Sequence, residues 1–309
     1  MAEPHPNRAL VIALVVITIV AGAAGAGYVY YRTHVGAPAS ALTVQEGDNV
    51  TVNYIGVFGS GAQVGRVFDT SLYSVATNNA SWPKSLLFHP RGPLPTNFTP
   101  LGVYVGASTP SGGYTVGNLT FGSVVPGFWM GLLGLPGNRT HYVTVPPSLG
   151  YSYVNASCFV PRPISYTIPV VVSLTDSEFS AQVPNVSPES GIEFPDPTYG
   201  WTDLILSTNA TSIVYENLPS LGMTTRPQGW PVLVTNISTS TISLTNQLSP
   251  SQAGLVAGHV SGAGVCGSTG FIVSQVSTAT GTYTEDYNSE VAGQTLIFIV
   301  TVVDILPPS

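Results

Sequence analysis

Residues 47–56 are Gly-Asp-Asn-Val-Thr-Val-Asn-Tyr-Ile-Gly, and within them residues 50–54 alternate apolar and polar side chains, which is the pattern of a half-buried β-strand. Residues 295–305, Thr-Leu-Ile-Phe-Ile-Val-Thr-Val-Val-Asp-Ile, carry the strongest strand signal in the chain, because β-branched and aromatic residues dominate them. Residues 126–135 predict one short helix. Further strands are predicted at 42–44, 50–54, 100–106 and 141–145, and a loop-rich stretch from 70 to about 100.

The composition of the whole chain agrees with this β pattern. Its 309 residues are rich in Val, Thr, Ile and Tyr and are interrupted by 33 Gly and 26 Pro, which predicts an α+β fold that is mostly β. Only 7% of the residues are charged, and the net charge is −7. The chain therefore has no basic face for the phosphates of a nucleic acid, and it lacks the high charge and low hydrophobicity of a disordered protein.

Residues 9–31 form an uncharged run of 23 between Arg8 and Arg32. A helix of this length spans roughly 30 Å, the thickness of a bilayer core, so residues 1–36 are predicted to be a transmembrane anchor. The alternative is a cleaved signal peptide, with the small residues 21–26 as its processing site. Under either interpretation the protein is exported, and with the anchor it is a single-pass membrane protein whose body lies outside the cytoplasm.

Other features also indicate an exported body. The two cysteines, Cys158 and Cys266, are too far apart for a redox or zinc motif, and they form either one long-range disulfide or two buried thiols. The scarcity of charge suggests an acidic external medium, because few groups then change charge near pH 4. Nine Asn-x-Ser/Thr sequons make the protein a glycoprotein candidate: Asn49, Asn79, Asn97, Asn118, Asn138, Asn155, Asn185, Asn209 and Asn236.

The Ser/Thr-rich region between about 157 and 292 contains a degenerate repeat. Gly200-Trp201, Gly229-Trp230 and Gly270-Phe271 each precede a strand, a polar turn and a second strand. Each unit is predicted to be a β-hairpin. The alternative is that any β-rich segment of this length shows such spacing by chance.

Several short motifs follow one another in a fixed order outside this region. They are Val52-Asn53-Tyr54-Ile55-Gly56, Val67-Phe68-Asp69-Thr70-Ser71, Val124-Val125-Pro126-Gly127-Phe128, Val143-Thr144-Val145-Pro146-Pro147 after Arg139, Gly150-Tyr151, and Leu296-Ile297-Phe298.

Together they resemble an FKBP-type peptidyl-prolyl cis-trans isomerase, over residues 42–155 and about 290–309. The resemblance implies an antiparallel half-barrel that wraps one short helix. The interruption at 156–290 is similar to the substrate-binding insert of the SlyD-like branch, although it is longer than a single insert module. The implied domains are 42–155 and 291–309 for the isomerase part, with 156–290 as the insert.

The resemblance also implies the site residues. A proline ring would lie in a pocket walled by Tyr54, Phe68, Val124, Val125, Phe128, Tyr151 and Phe298. Phe128 would form the floor, and the Tyr151 hydroxyl would donate to a substrate carbonyl. Asp69 would face the twisting carbonyl or orient its neighbours. Leu101 matches a further, aromatic family position, for which Phe121 is the alternative.

No cofactor and no metal are expected, because the five histidines are scattered without metal-ligand spacing. The expected partners are proline-containing unfolded or extended polypeptides. Two other functions stay open at this point. One is a non-catalytic surface binding protein or holdase on the same scaffold, and the other is a structural envelope protein whose insert makes lattice or partner contacts.

Overall fold

The computed structural model describes residues 42–108, 114–116, 119–259 and 264–308. They form two compact units: the described residues up to Val154 together with those from Ser289 onward, and Asn155–Asn288. Both units consist mainly of antiparallel sheets, so the prediction of a mostly β chain is confirmed. The predicted anchor at 9–31 lies outside the described residues, and none of the helices within them has the length and apolar character needed to cross a membrane.

The first unit is organised around one long central strand, β1. On one side β19 pairs with it along its whole length, and on the other side β3 pairs with its first half and β2 with its second half. β6 pairs with the far side of β19, and β4 and β5 form a separate hairpin. The strands, numbered along the whole chain, are β1 (Asn49–Phe58), β2 (Val67–Thr70), β3 (Leu101–Tyr104), β4 (Tyr114–Val116), β5 (Leu119–Phe121), β6 (Thr140–Val145) and β19 (Leu296–Leu306).

Both faces of β1 are covered, which explains why its apolar residues do not follow strict alternation. Val52 and Tyr54 point into the larger core with residues of β19, whereas Ile55 packs with Ile299 in a smaller core on the other face. Asn49, the first residue of β1, is only 7% exposed. This sequon is therefore too buried to carry a glycan in the folded protein, while six others, at 79, 97, 138, 185, 209 and 236, are exposed.

Two short helices connect these strands. α1 (Tyr73–Ala76) lies in the stretch predicted to be loop, and α2 (Pro126–Leu132) begins with proline at its first position, where the missing N–H has no cost. α2 lies so close to β6 that a Cβ on Gly131 would stand 2.2 Å from Val143 Cγ1.

The boundaries of two predicted elements were wrong. α2 ends at Leu132 rather than 135, because the chain turns there and the Gly134 amide donates to the Val44 carbonyl at 2.8 Å. The strand predicted at 42–44 is only an isolated bridge between Thr43 and Pro136.

The second unit contains three modules of four strands each. Module 1 has the strand order β10-β11-β12-β9, module 2 β13-β14-β15-β8, and module 3 β16-β17-β18-β7. The elements are β7 (Phe159–Pro163), β8 (Ser165–Pro169), β9 (Val171–Leu174), α3 (Asp176–Gln182), β10 (Glu193–Pro195), β11 (Thr202–Thr208), β12 (Ile213–Asn217), β13 (Thr224–Thr225), β14 (Val232–Ile237), β15 (Thr241–Asn246), β16 (Ala257–His259), β17 (Gly270–Ser277) and β18 (Thr282–Asp286).

The modules are nested along the chain. β7, β8 and β9 follow one another with one residue between them, yet each closes a different sheet, by pairing with β18, β15 and β12 respectively. The residues that precede these three strands, Cys158, Ile164 and Val170, occupy equivalent places: their carbonyls accept from the amides of Tyr287, Asn246 and Asn217. The predicted hairpins are confirmed. The first strand of each hairpin carries one bulge, at residue 206 in β11, residue 235 in β14 and residue 274 in β17.

One part of the predicted repeat was wrong. Trp201 and Trp230 are equivalent, since their indole nitrogens donate to Asn217 Oδ1 at 3.2 Å and to Asn246 Oδ1 at 2.7 Å. Phe271 is not the third member of this set. The strand register places Phe271 opposite Tyr287, in the same way that Asp203 lies opposite Asn217 in module 1 and Val232 lies opposite Asn246 in module 2. A Phe271–Tyr287 ring contact, with centroids 5.1 Å apart, replaces the indole–amide hydrogen bond in module 3.

The two cysteines, whose pairing the sequence left open, form a disulfide. Cys158 precedes β7 and is buried in the core that modules 2 and 3 share, and Cys266 lies in a turn before β17. The bond closes a loop of 108 residues that contains most of the second unit.

Candidate active site

Three aromatic rings from three different elements form a buried floor in the first unit. Tyr54 comes from β1, Phe128 from α2 and Phe298 from β19, and all three are at most 7% exposed. The centroid of Phe298 lies 4.7 Å from that of Phe128 and 6.0 Å from that of Tyr54, with the rings edge to face. Such contacts are the preferred geometry of aromatic pairs and hold the floor rigid.

Partly exposed side chains surround this floor. Phe68 on β2 packs against Phe298, with centroids 5.6 Å apart. Leu101 at the start of β3, and Val124 and Val125 just before α2, pack against the same cluster and are also only partly buried. The result is an apolar surface with an aromatic floor and an accessible rim.

A polar group forms one edge of this surface. The Tyr54 hydroxyl donates to Asp69 Oδ2, and the Arg91 guanidinium donates to the Tyr54 hydroxyl and forms an ion pair with Asp69 at 3.2 Å. Burial, followed by the neighbouring Asp69 carboxylate, raises the pKa of Tyr54. The hydroxyl therefore stays protonated as a donor at every physiological pH.

Tyr151 is the least buried of the predicted site residues, with 45% of its surface exposed. Its backbone carbonyl accepts from the Gly293 amide at 2.7 Å, which holds the segment in place. Partial burial, followed by the charge of Asp69, raises the pKa of Tyr151, so its hydroxyl stays protonated at neutral pH. The hydroxyl is neutral and open to a ligand.

All nine residues predicted for the site lie in the first unit. Seven share one cluster, and the Asp69 carboxylate accepts a hydrogen bond from Tyr54, one of the seven. Tyr151 is not a member of this cluster; its backbone is bonded to Gly293. Leu101 packs against this cluster, and Phe121, the alternative residue, is fully buried.

Sequence reasoning missed Arg91. It lies in the stretch from 70 to 100, whose lack of a period gave no indication of where its side chains point. The only available signal was that Arg91 is one of just eight Lys and Arg residues in the chain, in a segment next to a predicted site strand. Its guanidinium carbon lies 5.5 Å from the centroid of the Tyr54 ring, a cation–π distance.

The site combines an aromatic floor, an apolar rim and one polar edge. Among the described residues no group of three or more His, Cys, Asp and Glu side chains is placed to hold a metal ion. The partly exposed apolar side chains above the aromatic floor can contact an apolar cyclic group, and the exposed Tyr151 hydroxyl can donate to a carbonyl oxygen.

Neither a protein-family model nor a curated protein sequence matches this chain.

Proposed function

We propose that this protein is a peptidyl-prolyl cis-trans isomerase of the FKBP type that acts on proline-containing, unfolded or extended polypeptides. The observation that carries the proposal is the aromatic floor of Tyr54, Phe128 and Phe298. These three rings come from segments far apart in the chain, and the resemblance of the sequence motifs to the FKBP family predicts that they share one pocket. The antiparallel sheet with α2 packed against β6 supports an FKBP-like half-barrel.

The chemistry of prolyl isomerisation matches such a surface. Rotation about the prolyl amide is slow because it breaks amide resonance, with a barrier of about 18–20 kcal/mol. The twisted transition state has lost this resonance and is less dipolar than the planar amide, so an apolar, water-poor site favours it. Each 1.36 kcal/mol of this preference gives about a tenfold rate increase, so a few rings and hydrogen bonds suffice.

The individual residues then have distinct roles. Phe128 lies beneath the proline ring, and Tyr54, Phe68 and Phe298 enclose it. Leu101, Val124 and Val125 form the apolar rim that excludes water from the amide. The exposed Tyr151 hydroxyl donates to a substrate carbonyl.

Asp69 and Arg91 act at the polar edge. Because Arg91 neutralises Asp69 and both bind the Tyr54 hydroxyl, this edge is fixed before substrate arrives. In this proposal Arg91 is a positioning residue that keeps the Tyr54 ring and the Asp69 carboxylate in place.

The same polar edge favours a second candidate, a non-catalytic binding protein or holdase. Asp69 already accepts from Tyr54, Arg91 and the Thr70 amide, so its oxygens are largely occupied without substrate. A site whose carboxylate is committed in this way binds an extended polypeptide through its rings without acting on the twisting carbonyl.

The cellular setting is part of the proposal. The apolar run at 9–31 anchors the protein in a membrane, with the body outside the cytoplasm. The Cys158–Cys266 disulfide supports an oxidising compartment, and the six exposed sequons are available for glycans. The second unit is then a SlyD-like insert, enlarged to three modules, that binds polypeptide segments.

Isomerisation of a proline-containing peptide by wild type, Phe128→Ala and Tyr151→Phe tests the proposal. Tyr151→Phe removes one hydrogen bond and is expected to lower kcat/KM about three- to tenfold. Phe128→Ala is expected to lose more, because it removes the surface under the proline ring. The matched control is Tyr153→Phe, two residues away and 77% exposed, which is expected to keep wild-type activity.

Other outcomes separate the candidates. Equal activity in wild type, Phe128→Ala and Tyr151→Phe means that the pocket is elsewhere. No isomerisation by wild type, together with suppressed aggregation of an unfolded client, replaces the isomerase with the holdase. Circular dichroism of Phe128→Ala shows whether its loss of activity is only a loss of fold.

A further inference from the structure

The second unit contains a cavity of ≈ 630 Å³ that no part of the proposed isomerase mechanism uses. Its lining comes from all three modules: Tyr199 precedes β11 of module 1, Tyr166 and Gln228 belong to module 2, and Arg162 and Glu285 belong to module 3. The cavity therefore exists only because the three modules pack together.

The floor of this cavity holds a buried, fully organised carboxylate. The Glu285 side chain is 3% exposed and accepts from Arg162 Nε at 2.8 Å and from the Tyr287 hydroxyl at 3.1 Å. The same place in the other two hairpins holds Tyr215 and Leu244, which shows that the hairpin itself needs no carboxylate there. Glu285 instead fixes the guanidinium of Arg162, whose side chain remains 47% exposed.

The walls are aromatic and carry neutral polar groups. The ring of Tyr199 stacks on Trp201, with centroids 4.4 Å apart, and its hydroxyl lies 3.5 Å from that of Tyr166. Burial raises the pKa of both tyrosines, so both hydroxyls are protonated. Gln228 is partly exposed at the wall, and His259 is exposed at the rim.

The chemistry of these groups identifies a ligand class. Tyrosine hydroxyls and a glutamine amide can each both donate and accept hydrogen bonds, as sugar hydroxyls do. A proline-rich peptide offers mainly acceptors, because proline has no N–H. The Arg162–Glu285 ion pair adds no net charge, so a neutral ligand fits better than an ion. We propose that this cavity is a binding site for a neutral saccharide.

Calorimetric titration of the full-length protein tests this proposal. The probes are methyl α-mannopyranoside, methyl β-glucopyranoside and N,N′-diacetylchitobiose, with hexaproline as the competing class. An N-glycosylated peptide is included beside its free sugar, to separate protein-bound glycans from free saccharides as the source. We expect saturable binding of at least one carbohydrate, weakened about three- to tenfold by Tyr199→Phe or by Gln228→Ala, because each removes one or two hydrogen bonds.

The controls are matched to these variants. Tyr153→Phe removes an exposed hydroxyl in the first unit, and Gln247→Ala removes an exposed amide of module 2 that is not part of this cavity. Both are expected to bind as wild type does. No binding of any carbohydrate up to about 50 mM, well above a millimolar Kd, overturns the proposal, as does carbohydrate binding that Tyr199→Phe and Gln228→Ala leave unchanged. Saturable binding of hexaproline alone assigns the cavity to peptides instead. None of these results depends on isomerase activity.

Discussion

Asp203 makes the stability of module 1 depend on pH, and the sign of the dependence is unusual for a carboxylate. The side chain is fully buried at the position that Val232 and Phe271 occupy in the other modules. Neither of its oxygens makes a hydrogen bond of normal geometry among the residues that the structure describes, although the side chains of Asp196 and Trp201 lie close enough to influence its pKa. Burial, followed by the nearby carboxylate of Asp196, raises the pKa of Asp203 to about 8.

The sign follows from the two states of the chain. Above about pH 4 the unfolded chain releases this proton, whereas the folded chain keeps it up to about pH 8. Raising the pH through this window therefore favours the unfolded state. One pKa unit corresponds to about 1.36 kcal/mol, so the three units between pH 4 and 7 lower the free energy of unfolding by about 4 kcal/mol.

The other groups around Asp203 do not compensate for its charge. The carboxylate of Asp196 accepts from the amides of Thr198 and Tyr199, and repels a second negative charge. Burial, followed by the charges of Asp203 and Asp196, raises the pKa of Tyr215 to about 12, so Tyr215 remains neutral in this window. The Trp201 side chain lowers the pKa of Asp203, but its effect is the smallest of the influences on that pKa.

Urea unfolding of wild type, Asp203→Asn and Asp203→Val at pH 4.5, 6 and 7.5, three values inside the window, measures this effect. The stability of both variants relative to wild type is expected to rise by about 4 kcal/mol between pH 4.5 and 7.5. Glu193→Gln, an exposed carboxylate of the same module, is expected to leave the wild-type slope intact. If wild type and Asp203→Asn show the same pH slope, Asp203 is not a buried neutral acid and the argument fails.

Two further predictions concern the second unit. Replacing both Cys158 and Cys266 by Ala is expected to lower the free energy of unfolding by about 2–4 kcal/mol, because the unfolded chain is then no longer constrained by a closed loop of 108 residues. Urea unfolding of the double variant measures this loss, and an unfolding midpoint equal to that of wild type would contradict the prediction. Asn246→Ala is expected to cost about 1–3 kcal/mol, because it leaves the buried Trp230 indole and the Ile164 carbonyl without their side-chain partner. The matched variant is Thr241→Ala on the same strand, and a cost as small as that of Thr241→Ala would refute the structural role of Asn246.

Local patterns in the sequence determined the β character of this protein. Alternation in residues 50–54 and the β-branched run at 295–305 predicted β1 and β19, and the Gly-aromatic repeats predicted the hairpins of the second unit. These features depend on neighbours within a few residues, through backbone preference and turn chemistry, so a single sequence contains them.

The tertiary structure alone decided which side chains meet. Arg91 reaches Tyr54 and Asp69 from a stretch without any periodicity, and Phe271 proved to be equivalent to Asp203 rather than to Trp201, because strand pairing sets the register. The cysteine pairing and the three-module cavity were likewise settled by strands that lie far apart in the chain. Contacts of this kind depend on how the sheets close around their cores, and the free energy of that closure is a property of the whole fold rather than of any one segment.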